Sequence, residues 1–150
     1  MSATPRFAGV LAYRADRVVL MREAYPAWGG EFWNVPSGRV EDGETPAEGA
    51  ARELAEETGL VVAPEDLELV STVTTLTDHG ESRSWNHAVE VGTSQLRVSD
   101  PDGLVREARW FTHAEAVGLL LDLPYSPISE PAVAYLRGDA VPGRHWEYTR

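Results

Sequence analysis

The stretch Gly38-Arg39-Val40-Glu41-Asp42-Gly43-Glu44-Thr45-Pro46-Ala47-Glu48-Gly49-Ala50-Ala51-Arg52-Glu53-Leu54-Ala55-Glu56-Glu57-Thr58-Gly59-Leu60 carries the decisive pattern of this chain. Pro46 suits a first helical turn, and Thr45 is the N-cap candidate. Glu48, three residues after Thr45, completes a capping box. Gly59 supplies the stop. The spacing therefore predicts a helix over 47–58, with Ala47, Ala50, Ala51, Leu54 and Thr58 as its core-facing stripe. At 100° per residue, Glu53, Glu56 and Glu57 span about 100° of arc on another side. Three carboxylates held that close repel and raise one another's pKa unless positive charge sits among them. A hard divalent cation with oxygen ligands meets that need, and magnesium suits a phosphate-linked substrate. The same spacing also fits a solvated helix face, with Arg52 or water relieving the repulsion. The glutamates by themselves leave both readings open.

Outward from the helix, short apolar segments alternate with turn signals. Residues 7–13 and 18–21 read as an opening hairpin about Asp16, and 24–30 as a loop carrying Pro26, Gly29 and Gly30. Residues 32–35 form a short strand stopped by Pro36, and 37–45 a polar, Gly-bearing loop. Beyond the helix, 67–76 and 84–91 read as paired strands around a turn at 78–81. A loop at 99–103 leads to a strand at 105–111. Thr112 and Glu115 cap a helix across 113–121, and 127–136 forms the last helix. The tail 138–150 shows no clear period. Helices separated by sheet segments, with hairpin signals, predict an α/β fold: an α/β/α sandwich around a mixed sheet, in one domain over 1–150.

The bulk numbers narrow the function. A chain of 150 residues supports one real core. With 13 Lys and Arg against 24 Asp and Glu, net charge −11, it lacks the basic face of a general nucleic-acid binder, so no long nucleic acid is expected. No apolar run approaches 18 residues and the N-terminus has no apolar leader, so no membrane partner is expected. Cysteine is absent, which removes disulfides, thiolate metal sites and thiol nucleophiles. A cytoplasmic location is expected. His79, His87 and His113 have no zinc-like spacing.

Taken whole, Gly38, five residues, Glu44, seven residues, Arg52-Glu53-Leu54, one residue, Glu56-Glu57, one residue, Gly59-Leu60 resembles the signature of the Nudix hydrolase family, in a MutT-like single-domain form. Trp33-Asn34-Val35-Pro36 before it and Arg109-Trp110-Phe111 after it resemble the family as well. Ser37 stands where the signature usually has a first glycine. The resemblance implies a catalytic loop–helix–loop and hydrolysis of a diphosphate linkage, in a nucleoside diphosphate derivative or a nucleoside triphosphate, by water attack at phosphorus. It implies Glu56, Glu57 and the Gly38 carbonyl as metal ligands and Glu53 as ligand, base or both. Arg52 and Glu44 are implied as a brace between loop and helix. The cofactor implied is Mg2+, with Mn2+ as a substitute.

The general base is not fixed by the resemblance. Outside the signature, Glu107, Asp102, Glu90 and Glu81 are candidates, and Glu107 is favoured for its place on the late strand. Arg22, Arg39 and Arg83 are candidate phosphate holders, since a guanidinium matches phosphate oxygens. Tyr25 and Trp28 can stack on a base, as can Trp85 and Trp146, which also suit a dimer contact. Thr75 and the run Leu76-Thr77-Asp78 lack the proline and tyrosine that resemblance would associate with ADP-ribose or dinucleoside polyphosphate cleavage. The expected partner is a small nucleotide or nucleoside diphosphate derivative, and a C2 homodimer is the expected assembly. The alternatives are a catalytically silent nucleotide-binding or sensor module of the same fold, and an acidic structural domain.

Overall fold

The computed structural model describes residues 4–92, 95–139 and 141–150. The first three residues of the N-terminus and position 140 of the tail thus lie outside the described residues.

Among the described residues, eight strands and three α-helices follow the order β1 (Arg6–Arg14), β2 (Arg17–Tyr25), β3 (Gly30–Asn34), β4 (Ser37–Arg39), α1 (Pro46–Thr58), β5 (Glu68–Thr77), β6 (Gly80–Glu90), β7 (Val105–Thr112), α2 (His113–Leu121), α3 (Ser126–Leu136) and β8 (Arg144–Thr149). The sheet runs β3-β2-β1-β6-β5-β8, with β4 on β1 and β7 on β2. The pairs β1–β6 and β5–β8 are parallel and the rest antiparallel, so the sheet is mixed.

Residues 7–13 alternate only loosely because both faces of β1 are covered. Ala8, Val10 and Ala12 cluster with Ala50 and Leu54 of α1. Leu11 clusters with Ala116 and Leu120 of α2 and with Ala132, Val133 and Leu136 of α3. The same split divides β2, where Val19 joins the α1 side while Val18 and Leu20 join the other. Helices on both faces make the expected α/β/α sandwich.

The capping signals of α1 are realised. Thr45 accepts from the Glu48 N–H, the Glu48 carboxylate accepts in turn from the Thr45 N–H, and Gly59 ends the helix at φ 81°. Ala50, Ala51, Leu54 and Thr58 are buried, while Ala47 is half-buried.

Two segments differ from the sequence reading. Residues 37–39 pair with Phe7, Ala8 and Gly9 as β4, which fixes the start of the polar loop to the sheet. The tail is not irregular, because residues 144–149 add β8 in parallel to β5. Only Trp146 and Tyr148 of that strand are half-buried. The strand is at the edge, with one neighbour brought from far away in sequence, so no local turn or long alternation announces it.

Candidate active site

Glu53, Glu56 and Glu57 recur at i, i+3 and i+4, and so lie along one flank of α1, while Ala50 and Leu54 bury another. The preceding loop is tied to that flank by Arg52. Its Nε and Nη2 donate to the two oxygens of Glu44 at 2.8 and 3.0 Å, a bidentate pair. Nη2 also donates to the Arg39 carbonyl at 2.9 Å. Nη1 donates to Glu53 at 2.9 Å and reaches Glu56 at 3.4 Å. The Arg52 hydrogen bonds hold Glu44 below the usual carboxylate range.

Gly38 of β4 lies directly against Glu53. A Cβ at position 38 would stand 2.3 Å from the Glu53 carboxyl carbon. The glycine is there for space, since its φ lies outside the left-handed region. Ser37 fits beside it, its N–H donating to Glu57 Oε1 at 2.7 Å and its Oγ to the Val35 carbonyl at 2.9 Å.

Glu57 is only 3 % exposed. Burial first, then the charges of Glu53 and Glu23, push its carboxyl up to about 10. Burial likewise raises Glu53 to about 7 against the opposing pull of Arg52. Glu23 is raised to about 7 by burial, with Asp100 and Glu53 adding to it. These groups face a cleft of about 540 Å³ walled by eight carboxylates, those of residues 23, 41, 42, 53, 56, 57, 100 and 102, against two guanidiniums, Arg39 and Arg52. Among the described residues no three His, Asp or Glu side chains are drawn together as a closed cage. Arg52 occupies one oxygen of Glu53. The donors are nonetheless hard oxygens, short of positive charge, and one is a buried carboxylate. That set fits a hard divalent cation.

A second cavity, of about 300 Å³, adjoins the cleft and shares Glu23, Ser37 and Gly38 with it. Apart from Glu23 its walls are uncharged, formed by Tyr25, Asn34, Val35, Val70, Asn86, His87 and Ile128 among others. His87 Nδ1 lies 3.1 Å from the Gly9 carbonyl. A carbonyl only accepts, so that nitrogen carries the proton and Nε2 is an acceptor. Burial lowers the His87 pKa and keeps the ring neutral.

The sequence candidates divide accordingly. Gly38, Arg39, Arg52, Glu53, Glu56 and Glu57 line the cleft, and Glu44 braces it. Tyr25 lines the neutral cavity, its hydroxyl accepting from Asn34 Nδ2 at 2.9 Å. Trp28 packs at a tilt against Tyr25, ring centroids 4.5 Å apart, stacks on Tyr125 at 5.9 Å and lines neither space.

Arg22 and Glu107 do not reach the cleft. They are cross-strand partners in register with Val18 and Phe111, which pack away from α1. Alternation therefore puts both on that far face. There Arg22 pairs with Glu31 and lies 6.0 Å from the Trp33 ring, and Glu107 accepts from Arg109 at 2.6 Å. Arg83 and Glu81 pair with each other, and Glu90 lines a separate groove. Of the carboxylates outside the signature, Asp102 lines the cleft.

Sequence reasoning missed Glu23 and Asp100. The step Val19–Met21–Glu23 was available as a period-2 signal, because Val19 packs on the α1 side. Asp100 had none, since its loop folds in through bonds that the N–H groups of Leu104 and Val105 donate to its carboxylate.

The sequence model of the NUDIX domain matches residues 3–136. The RNA pyrophosphohydrolase of Francisella tularensis subsp. mediasiatica (strain FSC147) is 30 % identical over 105 residues, covering 66 % of this chain and 60 % of that protein. The octanoyltransferase of Myxococcus xanthus is 58 % identical over 52 residues, 35 % of this chain and 14 % of that protein. The chain therefore spans less than two thirds of the length of either relative. A crystal structure of a NUDIX hydrolase from Nitrosomonas europaea matches with a TM-score of 0.79 at 21 % identity, covering 100 % of this chain and 81 % of that one, which speaks for the fold. Among the described residues no helix is long and apolar enough to cross a membrane.

Proposed function

The chain belongs to the NUDIX domain family, and on that footing we propose that it hydrolyses a diphosphate linkage in a nucleoside triphosphate or nucleoside diphosphate derivative by water attack at phosphorus. The observation that carries this reading is the joining of two unlike spaces. A cleft of carboxylates opens, past Glu23, Ser37 and Gly38, into an uncharged cavity of about 300 Å³. The first suits a metal-loaded diphosphate and the second an uncharged heterocycle.

Glu53, Glu56, Glu57 and the Gly38 carbonyl would hold magnesium, with manganese able to replace it. When bound, the metal supplies positive charge that offsets the anionic diphosphate oxygens and makes water more acidic. Arg52 keeps Glu53 and the loop in register through Glu44. Arg39, exposed on the cleft wall, would donate to a phosphate oxygen. A cleft carboxylate takes the proton of the attacking water, Glu53 being the nearest to the Gly38 backbone. Tyr25 bounds the heterocycle. The same proposal carries a cytoplasmic setting and a twofold pair of chains, the latter read by sedimentation.

The test is phosphate release from a panel of ordinary and oxidised nucleoside triphosphates, ADP-ribose, nucleoside diphosphate sugars and dinucleoside polyphosphates, with magnesium present and then chelated. The relative named for RNA adds 5′-triphosphorylated RNA to that panel, although eight cleft carboxylates and a net charge of −11 oppose a long polyanion. Magnesium-dependent turnover of one class is expected. Silence of the folded, magnesium-loaded protein across the panel would leave the binding-module reading in its place.

Gly38→Ala is expected to separate fold from activity. The atom it adds collides with the end of a flexible glutamate, which swings away at little cost, so melting should shift by only a few degrees. The displaced Glu53 carboxylate should cost about 100-fold in kcat, as misplacement near 1 Å does elsewhere. Native kcat in the folded variant would show that the seat of Glu53 is irrelevant to turnover.

A further inference from the structure

A ligand occupying both the neutral cavity and the carboxylate cleft must pass the three residues they share, Glu23, Ser37 and Gly38. Gly38 has no side chain. The Ser37 hydroxyl and N–H already donate their protons to Val35 and Glu57. Of these three, Glu23 alone brings a carboxylate to the junction, and the Tyr25 hydroxyl that donates to it leaves further lone pairs on its two oxygens open to a ligand.

Its place is set by the sheet and not by a loop. Glu23 is in register with Phe32 on one side and Val105 on the other, and the residue is half-buried. Tyr25, two residues on along the same face of β2, is anchored by the Asn34 amide at 2.9 Å, so the wall beside Glu23 is fixed too. A carboxylate rejects bare phosphate oxygens and accepts from hydroxyls. In a nucleotide with its base in the neutral cavity and its phosphates in the cleft, the group between them is the pentose.

We propose that Glu23 is a specificity residue that accepts hydrogen bonds from the vicinal 2′ and 3′ hydroxyls of the substrate pentose, which makes this protein selective for ribonucleotides over deoxyribonucleotides. The proposal rests on the hydrolase reading above and goes beyond it by naming the sugar. A site built to pair a hydroxyl rejects the analogue that lacks it, because its acceptor is left unpaired. The junction opens to solvent on the cleft side, so the rejection falls well short of the largest values known for closed sites.

The experiment measures kcat/KM with magnesium for the best nucleotide of the panel in four sugar forms: ribo, 2′-deoxy, 3′-deoxy and 2′-deoxy-2′-fluoro. In the native protein each of the three analogues should lose about tenfold or more. The fluoro form decides between hydrogen bonding and ring pucker, because fluorine keeps a ribose-like pucker but donates nothing. It should behave as the deoxy form. In Glu23→Ala the ribo-to-deoxy ratio should fall to about one, and Glu23→Gln, which retains an acceptor, should restore part of it.

A native ratio below about threefold, a fluoro form as good as ribose, or a full ratio surviving in folded Glu23→Ala would each overturn the proposal. The first and second need no variant to fold. Equal magnesium-dependent hydrolysis of ribo and deoxy forms would sink the sugar assignment and leave the hydrolase reading standing. Silence of the whole panel would remove both.

Discussion

Glu57→Gln is expected to reduce magnesium-dependent turnover by more than about 100-fold and, in the same protein without magnesium, to raise the melting temperature. The two effects have one cause. Glu57 is almost fully buried beside Glu53 and Glu23, and among the described residues the Ser37 N–H is its only hydrogen-bond donor. Without a cation its charge is opposed by burial and by its neighbours. Glutamine keeps an acceptor for Ser37 and removes the charge. Its buried NH2 group costs part of the gain, so a net stabilisation of about 1–2 kcal/mol is expected, or roughly 2–8 °C near pH 8. Near pH 5 the gain should nearly vanish, because close to the unfolded value of 4.5 folding takes up the Glu57 proton at little cost, whereas near pH 8 it must take it up from water against a much larger gradient. The same change deletes a proposed metal ligand. Loss of a mere supporting partner of a ligand costs about 10–100-fold, and loss of the ligand should cost more. Thermal melts at both pH values and single-substrate kinetics with magnesium check it. Full activity in the variant would remove Glu57 from the site.

The second large effect is on stability against pH. Burial and neighbouring charge raise Glu57 to about 10 and Glu53 and Glu23 to about 7, against an ordinary 4.5. The folded chain therefore holds protons that the unfolded chain releases above 4.5, and stability falls as pH rises. The contribution is complete below about 4.5, is lost through 7 for Glu53 and Glu23, and continues to fall toward 10 for Glu57. Glu44 acts in the opposite sense, since its lowered pKa makes its contribution disappear as pH drops below 4.5. The metal-free protein should thus be most stable near pH 5 and melt progressively lower toward pH 9. Magnesium competes with those protons and should flatten the curve. At 100 times its dissociation constant it adds about 2.7 kcal/mol, or roughly 5–10 °C in a chain of this size. Scanning calorimetry from pH 5 to 9, with chelator and with magnesium, reads this directly. A melting temperature that stays level or rises over that range, and ignores magnesium, would show that the carboxylates are not coupled as the cleft places them.

The capped helix and its carboxylate flank were legible because their causes are local. Thr45, Pro46, Glu48 and Gly59 act within a few residues of themselves, and the i, i+3, i+4 repeat needs no partner to be recognised. The brace between Glu44 and Arg52 came with the family signature. The apolar runs of β1 and β2 were visible as strands, although their loose alternation hid that helices cover both faces.

What the sequence by itself determined, then, is the α/β class, the helix that carries the glutamates, and the family to which the chain belongs. Tertiary structure alone decided which further residues line the candidate site. Arg22 and Glu107 lie on the far face because the packing of Val18 and Phe111 sets the alternation of β2 and β7. Glu23 faces the cleft, one residue from Arg22, for the same reason. The strand at 144–149 exists because β5 offers an open edge, a partner some 70 residues away. Side-chain direction changes with every residue of a strand and is fixed by whichever neighbour is buried, so a site assembled from several strands becomes readable only when their partners are known.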